Sequence, residues 1–111
     1  MAKYETTKNI DFNVLKKGII EDVTKGSLSA SLEDESNYQT GDVRSCLLVF
    51  ERYSWSGSNR VSLTVQLIQG ANKPVHISCI TSGGSKAVLF KVNRIGESTF
   101  LENIKEYLDN L

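Results

Sequence analysis

Two alternating runs of residues, 43–55 and 60–69, constrain the fold of this chain more than any other feature. In each run apolar side chains recur at every second position, which is the period of a β-strand. The four residues between the runs, Ser56-Gly57-Ser58-Asn59, are typical of a tight turn. The sequence therefore predicts an antiparallel hairpin around which the rest of the domain is built.

The turn also predicts how the two strands pair. It sets Trp55 opposite Arg60, Phe50 opposite Val65 and Leu48 opposite Leu67. A slip by one residue would bring Glu51 into the core, which is costly, so we keep this register. One face then carries Leu48, Phe50, Val61, Leu63, Val65 and Leu67. The opposite face carries a second apolar set, Leu47, Val49, Tyr53, Trp55 and Ile68.

The other elements are predicted from the same periodicities and from capping signals. They are a strand over Lys3–Lys8, a helix between Asp11 and Gly26, strands over Ser27–Glu33, Val75–Thr81 and Ala87–Val92, and a last helix that starts at the capping box Thr99–Glu102. A polar, acidic stretch, Glu33–Asn37, and a turn at Thr40–Asp42 separate the third element from the hairpin.

The predicted fold class is α+β, a single domain over residues 1–111. It has an antiparallel sheet of five to six strands with two helices packed on it, in the order β-α-β-β-β-β-β-α. Short turns between consecutive strands favour antiparallel pairing, and two amphipathic helices need a sheet face to cover their apolar stripes. The sequence leaves open which face each helix covers.

Charge and hydropathy argue against several functional classes. The 13 basic and 13 acidic residues give no net charge, and the basic residues are spread along the chain rather than clustered as in nucleic-acid binders. No run of apolar residues approaches the length of a membrane span, and the first residues lack the apolar core of a signal peptide. We therefore expect a cytoplasmic protein that binds neither nucleic acid nor membrane.

The stretch Ser82-Gly83-Gly84-Ser85-Lys86 combines glycines, hydroxyls and a lysine between two apolar runs. A phosphate-binding P-loop needs different glycine spacing and a helix after its lysine, whereas a strand is predicted here. A glycine turn within a hairpin is one interpretation. The other is an anion site in which backbone N–H groups of the glycines are assisted by the two serines and the lysine.

Residues for catalysis or metal binding are sparse. Cys46 and Cys79 have no zinc-ligand spacing and are expected to be reduced and packed in strands, with a lone disulfide as the alternative. His76 lies three residues from Cys79, which places them on opposite faces of a strand. The acidic run Glu33-Asp34-Glu35 lacks a calcium-loop pattern and is expected to be a solvated strand end that also protects a sheet edge. We predict no catalytic residue, metal or cofactor.

A resemblance to a known family lies in three stretches, GSLSASLEDES, GDVRSCLLVFERYSWSGSNRVSLTV and ISCITSGGSKAVLFKVNRIGESTFLENIKEYL. Together they cover nearly the whole chain, and they resemble a family of small uncharacterised bacterial proteins with a domain-of-unknown-function label. The resemblance implies one complete domain that is bacterial and cytoplasmic. Since that family has no known activity, the resemblance supplies no site residue.

Two functional hypotheses follow. The first is a non-enzymatic interaction domain that forms a homodimer through the second apolar face, since monomers rarely expose large apolar patches. The second is a binder of a small molecule or anion, with a pocket between the sheet and the C-terminal helix. The residues for that pocket are Arg52, Trp55, Arg60, Ser82, Gly83, Gly84, Ser85 and Lys86. An enzyme is disfavoured because no activated nucleophile or metal set is readable.

Overall fold

The computed structural model describes residues 1–26, 30–54, 59–83 and 90–111, with the backbone alone described at 53, 54, 59 and 90–99. Its elements are β1 (Ala2–Lys8), α1 (Phe12–Lys25), β2 (Ser31–Thr40), β3 (Val43–Ser54), β4 (Asn59–Gln69), β5 (Val75–Gly83) and α2 (Phe90–Asp109). The five strands form one antiparallel sheet in the order β1-β5-β4-β3-β2. The predicted α+β fold class is confirmed.

The helix α1 has the predicted limits, and local interactions explain both of them. The Asp11 carboxylate accepts a hydrogen bond from the backbone N–H of Val14 at 3.1 Å, which satisfies a donor that the first turn leaves unpaired. At the other end Gly26 leaves helical geometry, while its N–H still donates to the Asp22 carbonyl at 2.9 Å. The stripe between these ends, Phe12, Leu15, Ile19 and Val23, is buried.

The helix α2 begins nine residues before the predicted capping box at Thr99, so that box lies inside the helix. The strand predicted over Ala87–Val92 is wrong at 90–92, which are the first residues of α2, while 87–89 lie outside the described residues. Gly96 and Thr99 have low helix propensity, which is why the sequence indicated a boundary there. A helix of 20 residues overrides such weak positions through its packing on the sheet.

The β3–β4 hairpin is confirmed, but its predicted register is wrong by two residues. Tyr53 rather than Trp55 is paired with Arg60, and Phe50 is paired with Leu63 rather than with Val65. Side chains alternate with a period of two, so a shift of two residues keeps each of them on its predicted face. The predicted core layer of the hairpin is buried for this reason: Leu48, Phe50, Val61, Leu63, Val65 and Leu67.

The strand β2 extends through the acidic stretch that was predicted to follow a strand end, and a two-residue turn then leads from Thr40 to Val43. It is an edge strand of the sheet, and a bulge between Leu32 and Asp34 leaves Glu33 as the extra residue. The bulge reverses the alternation, so Glu35 pairs with Leu48 on the side of the helices. The sequence pattern did not reveal that polar residues can continue a strand at an edge.

Both helices pack on the same face of the sheet. Their buried residues join the strand residues of one alternation in a single core, which contains Phe12, Leu15, Ile19 and Val23 of α1, Phe100, Ile104 and Leu108 of α2, and Cys46, Leu48, Phe50, Val61, Leu63, Val65, Leu67, Val75, Ile77 and Cys79 of the strands. The described residues therefore form two layers, and we call the side of the sheet that neither helix covers the outer face.

Polar contacts fasten each helix to a sheet edge. On α1, Lys16 forms an ion pair with Glu35 and donates to the Asn37 side chain at 3.0 Å, so it holds the helix against β2. On α2, Asp109 accepts a hydrogen bond from the Tyr4 hydroxyl and pairs with Lys105 at 3.0 Å, so it holds the helix end against β1. Edge strands have one neighbour each, and these contacts add a second attachment.

The two helices approach each other closely at Gly18, where a methyl group would collide with the Tyr107 hydroxyl but lie 3.4 Å from the ring carbon that bears it. We expect Gly18→Ala to gain about 1 kcal/mol from helix propensity and to lose about 1–3 kcal/mol from overpacking. In a Tyr107→Phe background the collision disappears, and the same substitution is expected to stabilise the fold. Urea unfolding of the four proteins measures the coupling, and additive effects would contradict the contact.

A second expectation concerns acid stability. The hydrogen bond from Tyr4, and then Lys105, lower the pKa of Asp109. A lowered pKa in the folded state gives stability that is present above the unfolded value, about 3.9, and is lost as pH falls through the folded value. Tyr4→Phe is therefore expected to be less stable than the parent at pH 7 and closer to it at pH 2–3. Tyr38→Phe, at an exposed tyrosine of β2, is the control and should match the parent at both pH values in urea unfolding.

Candidate functional site

The outer face is built by the second alternation of all five strands. Its residues include Lys3, Glu5 and Thr7 of β1, Asp34, Ser36 and Tyr38 of β2, Ser45, Leu47, Val49 and Glu51 of β3, Arg60, Ser62, Thr64, Gln66 and Ile68 of β4, and His76, Ser78, Ile80 and Ser82 of β5. None of these belongs to the core that the helices cover. An antiparallel sheet with one solvated face ordinarily shows polar residues there.

This face departs from that pattern on its three inner strands. Leu47, Ile68 and Ile80 are 38%, 37% and 39% exposed. Val49 is half-buried, and it shares one row across the sheet with Thr64 and Ile80. The edge strands β1 and β2 contribute polar or aromatic side chains instead. The outer face thus has an apolar centre between polar margins.

The residues predicted for an interface fall on this surface where they are described. Leu47, Val49 and Ile68 lie on the outer face, and Tyr53 is paired with Arg60 in the backbone register. Trp55 lies outside the described residues. The sequence reading missed Ile80, although the alternation of β5 from His76 to Ser82 places it on this side.

The residues predicted to line a ligand pocket are divided between the two faces. Arg52 is on the helix side, with its guanidinium 5.9 Å from the centre of the Phe100 ring. Arg60 is on the outer face and pairs with Glu51 at 2.8 Å. Trp55, Gly84, Ser85 and Lys86 lie outside the described residues. The sheet therefore separates the two arginines that were expected to act together.

The described part of the glycine stretch belongs to the end of β5. The Ser82 hydroxyl oxygen lies 3.1 Å from the Ser62 hydroxyl oxygen on the neighbouring strand. Gly83 has a φ angle of +117°, and a Cβ atom there would lie 2.5 Å from the Arg60 carbonyl oxygen. Only glycine fits such a backbone angle next to a paired strand. Gly83 thus has a structural requirement that is independent of any anion.

A polar cluster of Glu5, His76 and Ser78 occupies the β1–β5 side of the outer face. The Ser78 hydroxyl donates to Glu5 Oε2 at 2.8 Å, and His76 Nε2 lies 3.2 Å from the same oxygen and 3.3 Å from Ser78 Oγ. The hydrogen bonds from Ser78 and His76, and then the charge of Lys3, lower the pKa of Glu5.

The cluster does not have the geometry of a serine hydrolase triad. In a triad one ring nitrogen of histidine meets the serine and the other meets the acid. Here a single nitrogen, His76 Nε2, faces both groups, and Ser78 already donates to the carboxylate. The arrangement suits charge pairing on a surface rather than activation of a nucleophile. The sequence did not reveal it because strand partners far apart in the chain, 71 residues here, cannot be read from periodicity.

Comparison with known proteins adds one finding. The model of a family of unknown function, DUF6054, matches residues 1–111. The chain belongs to the DUF6054 family. This agrees with the resemblance to an uncharacterised family of about this length. No curated protein and no solved structure matches this DUF6054 chain.

The two cysteines of this DUF6054 member lie in the core of the sheet. Cys46 and Cys79 are both free and buried, and burial raises the pKa of Cys79 to about 12. Within the described ranges no three His, Cys, Asp or Glu side chains are grouped so that they could hold a metal ion. No helix in that part of the chain is long and apolar enough to cross a membrane.

The structural requirement at Gly83 is testable by substitution. We expect Gly83→Ala to lower the free energy of unfolding by about 2 kcal/mol or more, because it forces a strained angle and a contact with the Arg60 carbonyl. The control is Gly70→Ala, whose new methyl group would meet only Lys73 Cγ at 3.7 Å, and it should change stability by less than about 0.5 kcal/mol. If added phosphate raises the free energy of unfolding of the parent but not that of Gly83→Ala, the result supports an anion site at this glycine.

Proposed function

We propose that the domain is a non-enzymatic interaction module that forms a homodimer through its outer face. The observation that carries the proposal is that both helices cover the opposite side of the sheet, while the outer face keeps Leu47, Ile68 and Ile80 more than one-third exposed. Apolar side chains on the inner strands of an uncovered sheet mark a surface that gains free energy when water is removed from it.

The distribution of side chains on the outer face resembles the plan of a protein interface. Interfaces combine an apolar centre, depleted of charge, with a polar margin. Here the apolar residues lie on β3, β4 and β5, while charged residues lie on the edge strands and at one end, where Arg60 meets Glu51. Lys3 and Glu5, 3.7 Å apart, supply both signs on the β1 margin.

A second copy of the chain is the partner that these features favour. A two-fold interface sets one surface against itself, so it requires self-complementary charge. The margins contain both signs, and the chain as a whole carries no net charge, so two copies approach without long-range repulsion.

The size of the surface supports a reversible dimer. Four strand spacings make the face about 19 Å wide, and the eight paired residues of β4 and β5 make it about 26 Å long. A face of about 500 Å² on each copy gives about 1,000 Å² in a dimer, the lower limit for a specific interface. We therefore expect dimerisation that depends on protein concentration.

Cytoplasmic location belongs to the same proposal, and so does the bacterial origin that the family resemblance implies. Buried thiols that are not joined in a disulfide suit a reducing compartment, and Cys46 and Cys79 are both of this kind.

The alternative hypothesis of a pocket between the sheet and the C-terminal helix has no specific observation in its favour. Phe100, Ile104 and Leu108 fill the part of that space where the side chains of α2 are described. A surface groove of about 450 Å³ lies elsewhere, between the two helices, and is lined by Asp22, Asn103, Glu106, Tyr107, Asn110 and Leu111. Its polar, acidic lining differs from the apolar lining of a typical ligand pocket.

The proposed interface is tested by placing a charge in its centre. We expect Leu47→Lys to be folded and monomeric, because burying an unpaired ammonium group against a second sheet is costly. The matched control is Val14→Lys, which adds the same charge to a side chain that is 61% exposed on α1. Sedimentation velocity between about 1 µM and about 1 mM should show dimer formation by the parent and by Val14→Lys. A parent that stays monomeric over this range would overturn the proposal.

A further inference from the structure

The chain contains one histidine, and the fold places it on the outer face. Histidine is the side chain whose ordinary charge change falls between pH 5 and 8. Burial raises the pKa of both Cys46 and Cys79, so the thiols do not lose protons in that range. Among the side chains, a strong pH effect near neutrality therefore points to His76.

His76 is part of a small charged network on the margin of the proposed interface. Glu5 on β1 faces it at 3.2 Å, and Lys3 lies behind that carboxylate at 3.7 Å. The residues beside it, Ser78 on β5 itself, Thr7 on β1, and Gln66 and Ile68 on β4, carry no charge. No described helix residue packs over it, because both helices lie on the other side of the sheet. Glu5 is thus the charge that responds most directly to protonation of His76.

We propose that protonation of His76, with Glu5 as its counter-charge, strengthens self-association through the outer face. This regulation by pH rests on the proposed dimer. Contact between two outer faces removes water from the Glu5 carboxylate, and a buried charge is costly unless a nearby group compensates it. At neutral pH the carboxylate has Ser78 and Lys3 as partners. At lower pH the imidazolium adds a full positive charge within hydrogen-bond distance.

The sign of the pH effect follows from this pairing. Between about pH 7.5 and about pH 5.5 histidine gains its proton while an ordinary glutamate stays ionised. The factors that lower the pKa of Glu5 keep it ionised further into acid. Association is therefore expected to strengthen as pH falls through this window. Below it, protonation of carboxylates removes the pair again.

Sedimentation equilibrium of the full chain at pH 5.5, 6.5 and 7.5, at constant ionic strength, tests the proposal. We expect a dimer dissociation constant about tenfold lower at pH 5.5 than at pH 7.5, which is about 1.4 kcal/mol. In His76→Gln the constant should no longer depend on pH. In Glu5→Gln the dependence should reverse, because the imidazolium is then buried without its counter-charge.

A control separates this network from a general effect of charge. Glu21→Gln removes a glutamate from α1, away from the outer face, and should keep the pH dependence of the parent. Circular dichroism at each pH verifies that every variant is folded.

The failures of the two proposals are distinguishable. If the chain is monomeric at all three pH values, both the proposed dimer and its proposed regulation by pH are overturned. A dimer whose constant is unchanged by pH, or changes as much in His76→Gln as in the parent, overturns the role of His76 and leaves the interface standing.

Discussion

The architecture depends on one packing constraint, which is that two helices bury their apolar stripes on the same side of one sheet. Every strand residue in the core belongs to a single alternation, from Cys46 on β3 to Cys79 on β5. Because the helices share this face, they approach each other closely at Gly18, while Lys16 and Asp109 attach them to the edge strands β2 and β1. Because both helices lie on one face, no described helix covers the other face of the sheet.

The composition of the outer face is not explained by solvent exposure alone. A sheet that only needed solvent on this side would be served by Thr, Ser, Gln and charged residues, all of which occur there. The apolar side chains instead concentrate on the inner strands, furthest from the edges, where water is excluded most completely in a face-to-face contact. The only histidine of the sequence lies within the same surface, so the proposed association and the proposed proton uptake would share one set of residues.

Sequence periodicity predicted the features that depend on neighbours along the chain. The limits of α1 follow from Asp11 and Gly26, and the buried face of the hairpin follows from its alternation. The prediction failed where packing between distant segments decides the outcome. A register shift of two residues at Phe50 leaves every face unchanged, and the first half of α2 continues through weak helix formers. The cluster at Glu5 depends on β1 pairing with β5, which no local pattern records.

The bulge at Glu33 has a consequence for how far any assembly can grow. Bulges increase the local twist of a strand, and acidic side chains line this edge around Glu33; both features hinder the addition of another strand. Pairing at an edge repeats without limit and leads to filaments, whereas stacking of two faces consumes the surface that drives it. By hindering strand addition at the β2 edge, the bulge would limit the proposed assembly to a finite, two-copy particle rather than an open polymer.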